Sequence, residues 1–145
     1  MNRLESLPEN PYNALSWFVT PEGIEIGEGC WIGAFTMIDG TGGLKIGKGV
    51  TVSSGAKIVS HSGVRRCISE QKYGEIDKAA VEIGDNCFIG TNAVILMGAQ
   101  LGHHSVVGAG AVVEEFSRFE PFSLIVGVPA RAIGKVEIPD EKIST

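Results

Sequence analysis

Histidine is the side chain that can take up and return a proton near neutral pH, and this chain of 145 residues has three, at 61, 103 and 104. His61 has the position that points to chemistry. It lies three residues after Ile58 and opens a stretch carrying Arg65, Arg66, Lys72, Tyr73 and Lys78, while Asp39 directly follows Ile38. Nothing resembling an activated nucleophile accompanies them: no Gly-x-Ser-x-Gly elbow, no Cys-x-x-Cys, no phosphate-binding loop and no dinucleotide fingerprint. With one base and no nucleophile, direct transfer is the simplest chemistry. His61 would deprotonate a hydroxyl or amine that attacks an acyl group held beside it. Backbone N–H groups would stabilise the oxyanion, an effect worth ~3–4 kcal/mol per good donor. Arg65 and Arg66 are the candidate acceptor-binding cations. His103 and His104 read as a solvent-facing corner of a regular repeat.

That repeat is what must position these residues. Ile26, Ile32 and Ile38 are six apart, as are Ile46, Val52 and Ile58, and then Ile83, Ile89, Ile95, Leu101, Val107 and Val113. Gly follows the aliphatic at 27, 33, 47, 84, 90, 102 and 108. A small or compact residue stands four positions on, as in Cys30, Thr36, Ala56, Cys87, Ala93 and Ala111. Six is neither the helical period nor the strict two of a half-buried strand; fixed short periods mark solenoids. Each hexapeptide makes one short strand and one corner, three close an 18-residue coil, and coils stack as parallel strands roughly 4.8 Å apart. The grid aliphatic points inward. Two breaks interrupt it: the step from Ile38 to Ile46 is eight, around Gly40-Thr41-Gly42-Gly43, and the step from Ile58 to Ile83 is 25. Residues 60–80 must therefore leave the prism and return, and excursions of that length are usually functional or disordered. Asp39 and His61 leave at one corner, a coil apart, where they can orient each other or a shared substrate.

The expected fold is all-β: a parallel β-helix over 24–116 with the excursion at about 60–80, a flanking segment 1–23 and a C-terminal tail 117–145. Solenoid ends need covering, and Phe116, Phe119, Pro121, Phe122 and Leu124 have the apolar content for the C-terminal end. A net charge of −5 and a pI near 5.2 give no support to nucleic-acid or anionic-membrane binding. No apolar run approaches the roughly 18 residues needed to span a bilayer. Three cysteines argue against a disulfide framework, and Cys30 and Cys87 read as core packing; a cytoplasmic protein is expected.

Ile32 through Gly40, Ser60-His61-Ser62, Val81 through Gly90, Val107 through Gly110 and Gly127-Val128-Pro129-Ala130-Arg131 resemble the hexapeptide-repeat, left-handed β-helix acyltransferases. The branch with maltose, galactoside and polysaccharide-pathway sugar O-acetyltransferases is the most similar. The resemblance covers about residues 24–135. It implies acetyl-CoA as co-substrate, no metal, a hydroxyl-bearing sugar-like acceptor, and a homotrimer with acyl-CoA in a groove between prisms. It matches His61 to the essential histidine and Asp39 to an acidic residue that contacts the acceptor. Thr91 and Ala109 match backbone contacts to the pantetheine arm, and Arg131 a basic residue near the nucleotide. This chain departs from the pattern at Ser62, Ala34 and Phe88, where relatives have Asp, Asn and Trp. It also has Glu114-Glu115 where many relatives place Thr-Lys beside the CoA phosphates, so Arg118, Arg131 or Lys135 would have to compensate. Two other readings share the prism: a non-catalytic assembly protein, and a γ-type carbonic anhydrase. The latter needs three converging histidines, unlike the adjacent pair His103-His104.

Overall fold

The computed structural model describes residues 15–140, and these form a three-faced parallel β-solenoid of about five turns. The first face stacks β1 (Trp17–Val19), β4 (Met37–Asp39), β7 (Lys57–Ile58), β12 (Val94–Ile95) and β15 (Val112–Val113). The second stacks β2 (Ile24–Ile26), β5 (Leu44–Ile46), β10 (Val81–Ile83), β13 (Gln100–Leu101) and β16 (Arg118–Phe119). The third stacks β3 (Trp31–Ile32), β6 (Thr51–Val52), β11 (Phe88–Ile89), β14 (Val106–Val107) and β17 (Ser123–Gly127), edged by β18 (Ala130–Lys135).

The six-residue grid sets the register. Ile38 lies on Ile58 and then Ile95 on the first face, Ile46 on Ile83 and Leu101 on the second, Val52 on Ile89 and Val107 on the third. These nine side chains are at most 4% exposed. Burying an aliphatic of this size contributes ~1.5–3 kcal/mol, so the ladders carry the fold. The small-residue slot lies under the corners: Ala56, Ala93, Ala99 and Ser105 are fully buried. Cys87 is buried too, its Sγ donating to Gly102 O at 3.2 Å, and burial pushes its thiol pKa up.

The corners need two backbone devices. A Cβ on Gly27, Gly84 or Gly90 would collide with backbone of the next coil, which is why glycine recurs directly after the aliphatic. Two residues further on, the corner takes a positive φ, at Gly29, Phe35, Gly49, Gly55, Asn86, Asn92, Gly98, His104, Gly110, Phe116 and Phe122. Asn visits this region routinely, whereas aromatic residues there are strained unless surrounding packing imposes the turn.

The solenoid is longer than the 24–116 expected. Trp17–Val19 pairs in parallel with Met37–Asp39, so the segment before residue 24 already contributes a strand. At the other end Phe119 lies on Leu101 and Ile125 on Val107, continuing the grid past residue 116. Aromatic Phe18 and Phe119 occupy inward places that a search for aliphatics passes over. The C-terminal end is not closed by Phe116, which is 61% exposed. Instead β18 turns back antiparallel onto β17 and covers its edge. Part of the 1–23 segment, residues 1–14, lies outside the described residues.

The outward rows differ by face. The second presents Glu25, Lys45, Glu82, Gln100 and Arg118. The first presents Trp17, Met37, Lys57, Val94 and Val112, and the third Trp31, Thr51, Phe88, Val106 and Leu124. Among the described residues no helix is long and apolar enough to cross a membrane.

Candidate active site

Three successive coils break at the corner between the first and second faces. The step from Phe18 to Ile26 is eight, as is that from Ile38 to Ile46, and after Ile58 comes the excursion. The excursion has structure of its own. His61–Ser62 (β8) pairs antiparallel with Asp77–Lys78 (β9), and Val64–Ile68 forms a short helix, α1. Both strands of this hairpin spring from the prism corner that bears Asp39.

The corner gathers a compact polar cluster. Asp39 is fully buried. Its Oδ1 accepts from Thr41 N–H at 2.9 Å, and its Oδ2 accepts from Ser60 N–H at 2.9 Å and the Ser60 hydroxyl at 3.2 Å. His61 Nδ1 stands 2.6 Å from the same Oδ2. Burial by itself would raise the pKa of Asp39. Hydrogen bonds from the Thr41 side chain, the Ser60 and Thr41 backbone and His61 outweigh it and hold the carboxyl below its usual range. An ionised carboxylate only accepts, so Nδ1 carries a proton, and in the neutral imidazole Nε2 then holds the lone pair. Nε2 makes no hydrogen bond among the described residues, and the side chain is 34% exposed. A carboxylate that fixes the tautomer and aim of an imidazole, whose far nitrogen is accessible, is the working arrangement of a general base.

Asp39 faces protein donors in this structure, where the resemblance implied a contact to the acceptor. It has no exposed surface, and both oxygens accept hydrogen bonds from protein donors. Arg65 and Arg66 are also placed differently from expectation. The Arg65 guanidinium pairs with Asp77 at 2.8 Å and lies 4.8 Å over the Tyr73 ring. Arg66 donates to Gly74 O and Gln71 Oε1. Both close the excursion on itself, and neither has a hydrogen bond to the Asp39–His61 pair.

Thr91 and Ala109 lie on the corner between the third and first faces, both exposed, with Gly110 N–H donating to Thr91 O at 2.8 Å. They are one coil apart, as their spacing requires, and a face away from His61. Arg131, on β18, pairs with Glu114 at 2.7 Å, so one of the two carboxylates that would repel an anionic ligand is neutralised. Lys135 Nζ is 3.6 Å from Glu120. His103 and His104 share the corner between the second and third faces, their Nδ1 atoms 3.0 Å apart, with the His104 ring stacked on Phe122.

Sequence reasoning missed Thr20, Thr41 and Ser60. Thr20 Oγ1 and Thr41 Oγ1 are 3.1 Å apart, continuing the polar cluster one coil further along the stack. A repeat search admitting Phe18 to the grid exposes a second eight-residue step and places Thr20 at the break.

Two sequence blocks of this chain, residues 23–59 and 80–115, match the family model described as "Hexapeptide repeat of succinyl-transferase". The carnitine operon protein CaiE of Escherichia coli (strain K12) is 30% identical over 129 residues, 82% of this chain and 65% of that protein. The chain thus spans under two thirds of that relative's length. Among solved structures, a hexapeptide-repeat acetyltransferase from Vibrio cholerae superposes with a TM-score of 0.69 at 27% identity, covering 85% of this chain and 72% of the other. A maltose O-acetyltransferase from Clostridium difficile 630 gives 0.71 at 25%, covering 85% and 64%. The two matched blocks stop where the excursion begins and resume where it returns, and on that register the chain belongs to the family of the hexapeptide repeat of succinyl-transferase.

Proposed function

We propose that this protein is an acyl-CoA-dependent O-acyltransferase that moves acetyl from acetyl-CoA to a hydroxyl of a sugar or sugar-containing acceptor. The Asp39–His61 pair carries the reading. His61 Nε2 takes the acceptor hydroxyl proton as the oxygen attacks the thioester carbonyl. The tetrahedral intermediate collapses with expulsion of the CoA thiolate, and the proton held on Nε2 returns to that sulfur. The similarity to a maltose O-acetyltransferase supports a hydroxyl acceptor of this class. The supply of acetyl-CoA favours the cytoplasm as the site of action.

Thr91 and Ala109 are the proposed pantetheine contacts. Arg131 and Lys135 are proposed for the nucleotide end, with Arg131 having to exchange Glu114 for phosphate. Arg65 and Arg66 are proposed to shape the acceptor side by holding the excursion closed. The site is proposed to be completed by a second copy in a homotrimer. A groove of about 610 Å³ on the second face is lined by Lys45, Glu82, Gln100 and Arg118, not by His61. The first and third faces carry the apolar outward rows, with Trp31 63% and Phe88 44% exposed. Sedimentation should give three times the mass of the chain; a stable monomer would remove the intersubunit groove.

The decisive test is His61→Ala. Thiol release from acetyl-CoA, measured against a panel of sugars, hydroxy amino acids and amines, should be abolished while the melting temperature stays near wild type. Turnover at the wild-type rate in that variant ends the proposal.

A further inference from the structure

The buried polar cluster contains one side chain whose bonds all serve another residue. Ser60 is fully buried, and its hydroxyl has three neighbours: Gly42 N at 2.9 Å, Asp39 O at 2.8 Å and Asp39 Oδ2 at 3.2 Å. A hydroxyl has one proton to give. Gly42 N–H can only donate, so it takes a lone pair of Ser60 Oγ and leaves the Ser60 proton aimed at Asp39, on the carbonyl and carboxylate together. Ser60 N–H adds a second bond to Oδ2. The insertion around Gly40–Gly43 has a matching role: Thr41 N–H caps Oδ1, and Gly42 N–H sets the direction of the Ser60 hydroxyl. A Cβ at Gly42 would run into Ser60 O and Ala79 N, so this approach is open only to glycine. The excursion's hairpin begins at the next residue, His61, and among the described residues the side-chain hydrogen bond of its ring goes to Asp39 Oδ2.

We propose that Ser60 is a positioning residue: with backbone N–H groups of the Gly40–Gly43 insertion it holds the Asp39 carboxylate so that His61 is kept as the Nδ1–H tautomer with Nε2 facing the acceptor. This rests on the general-base reading of His61 for its effect on rate, but not for its effect on the imidazole itself. The eight-residue step is then part of the catalytic device and not a spacer.

Two measurements on the full chain test it. In histidine-15N spectra the wild type should show His61 as Nδ1–H, and Ser60→Ala should show a mixture with Nε2–H. In the acetyl-CoA assay Ser60→Ala should lower kcat about tenfold with KM within about twofold. In an Asp39→Asn background the same substitution should change kcat by less than about twofold, because the carboxylate it serves is gone. A purely structural role would instead lower kcat by the same factor in both backgrounds. An unchanged His61 spectrum in Ser60→Ala, or equal factors in the two backgrounds, overturns the proposal. If Ser60→Ala does not fold, Ser60→Cys, with a weak donor of similar shape, should give a smaller shift of the same kind, and a wild-type spectrum and rate there count against it. Should His61→Ala retain turnover while Ser60→Ala still alters the tautomer, the general-base reading fails and the positioning of His61 stands.

Discussion

Replacing Asp39 by Asn changes shape little and hydrogen bonding a great deal. The wild-type carboxylate accepts from Thr41 N–H on one oxygen, and from Ser60 N–H, the Ser60 hydroxyl and His61 Nδ1–H on the other, with the Thr41 side chain adding to them. An amide offers one acceptor oxygen and one NH2 donor. With its oxygen toward Ser60, the NH2 confronts Thr41 N–H. With its oxygen toward Thr41, the NH2 confronts Ser60 N–H and His61 Nδ1, and the imidazole must turn to the Nε2–H tautomer, which cannot accept a proton from the acceptor. Either orientation leaves at least one buried donor unpaired, a cost of about 1–3 kcal/mol. The expected loss in kcat is of the order of a general base's whole contribution, about 10²–10⁴-fold, with KM for acetyl-CoA little changed.

The stability effect carries a pH signature. Asp39 has a folded pKa below its unfolded value. Its contribution is therefore present above the ordinary carboxylate range and disappears as the pH falls through the depressed folded value. Wild-type melting temperature should fall below about pH 4 more steeply than that of Asp39→Asn, so the two curves converge in acid. Thermal scans between pH 3 and 7, alongside thiol release at neutral pH, check both parts. A variant with kcat within threefold of wild type, or with a constant stability deficit at every pH, would refute the reasoning.

Two further substitutions separate the frame from the site. Gly42→Ala places a methyl against Ser60 O and Ala79 N; it should cost about 1–3 kcal/mol in urea unfolding and reduce kcat, whereas Gly74→Ala, whose Cβ meets nothing within 4 Å, should leave both near wild type. Ile58→Ala empties the first-face ladder between Ile38 and Ile95 and should destabilise by about 2–5 kcal/mol, seen as a lower denaturation midpoint, with the activity of the remaining folded fraction retained.

The parts of this molecule that were legible in its sequence are those set by repetition. A coil can stack only if its inward residue matches the one above, so Ile38, Ile58 and Ile95 announce the ladder by spacing alone, and the shared break after Ile38 and Ile58 puts Asp39 beside His61. The ends were less legible because Phe18 and Phe119 satisfy the same inward slot with a different residue type. The roles within the cluster were not legible at all. Whether Asp39 faces an acceptor or an imidazole depends on which donors reach it, and besides His61 those are Ser60, the Thr41 side chain and the Thr41 backbone N–H of a glycine-rich insertion. Backbone donors have no residue signature. Arg65 and Arg66 illustrate the same limit from the other side: a cation in a functional-looking excursion says nothing of its partner, and here Asp77, Gly74 and Gln71 lie inside the same loop. Where a repeat breaks, the residue types name the chemistry available, while the local backbone decides which of them reaches the substrate. That division is why Asp39→Asn is more informative than His61→Ala. The latter asks whether the base matters, the former whether the corner was built to aim it.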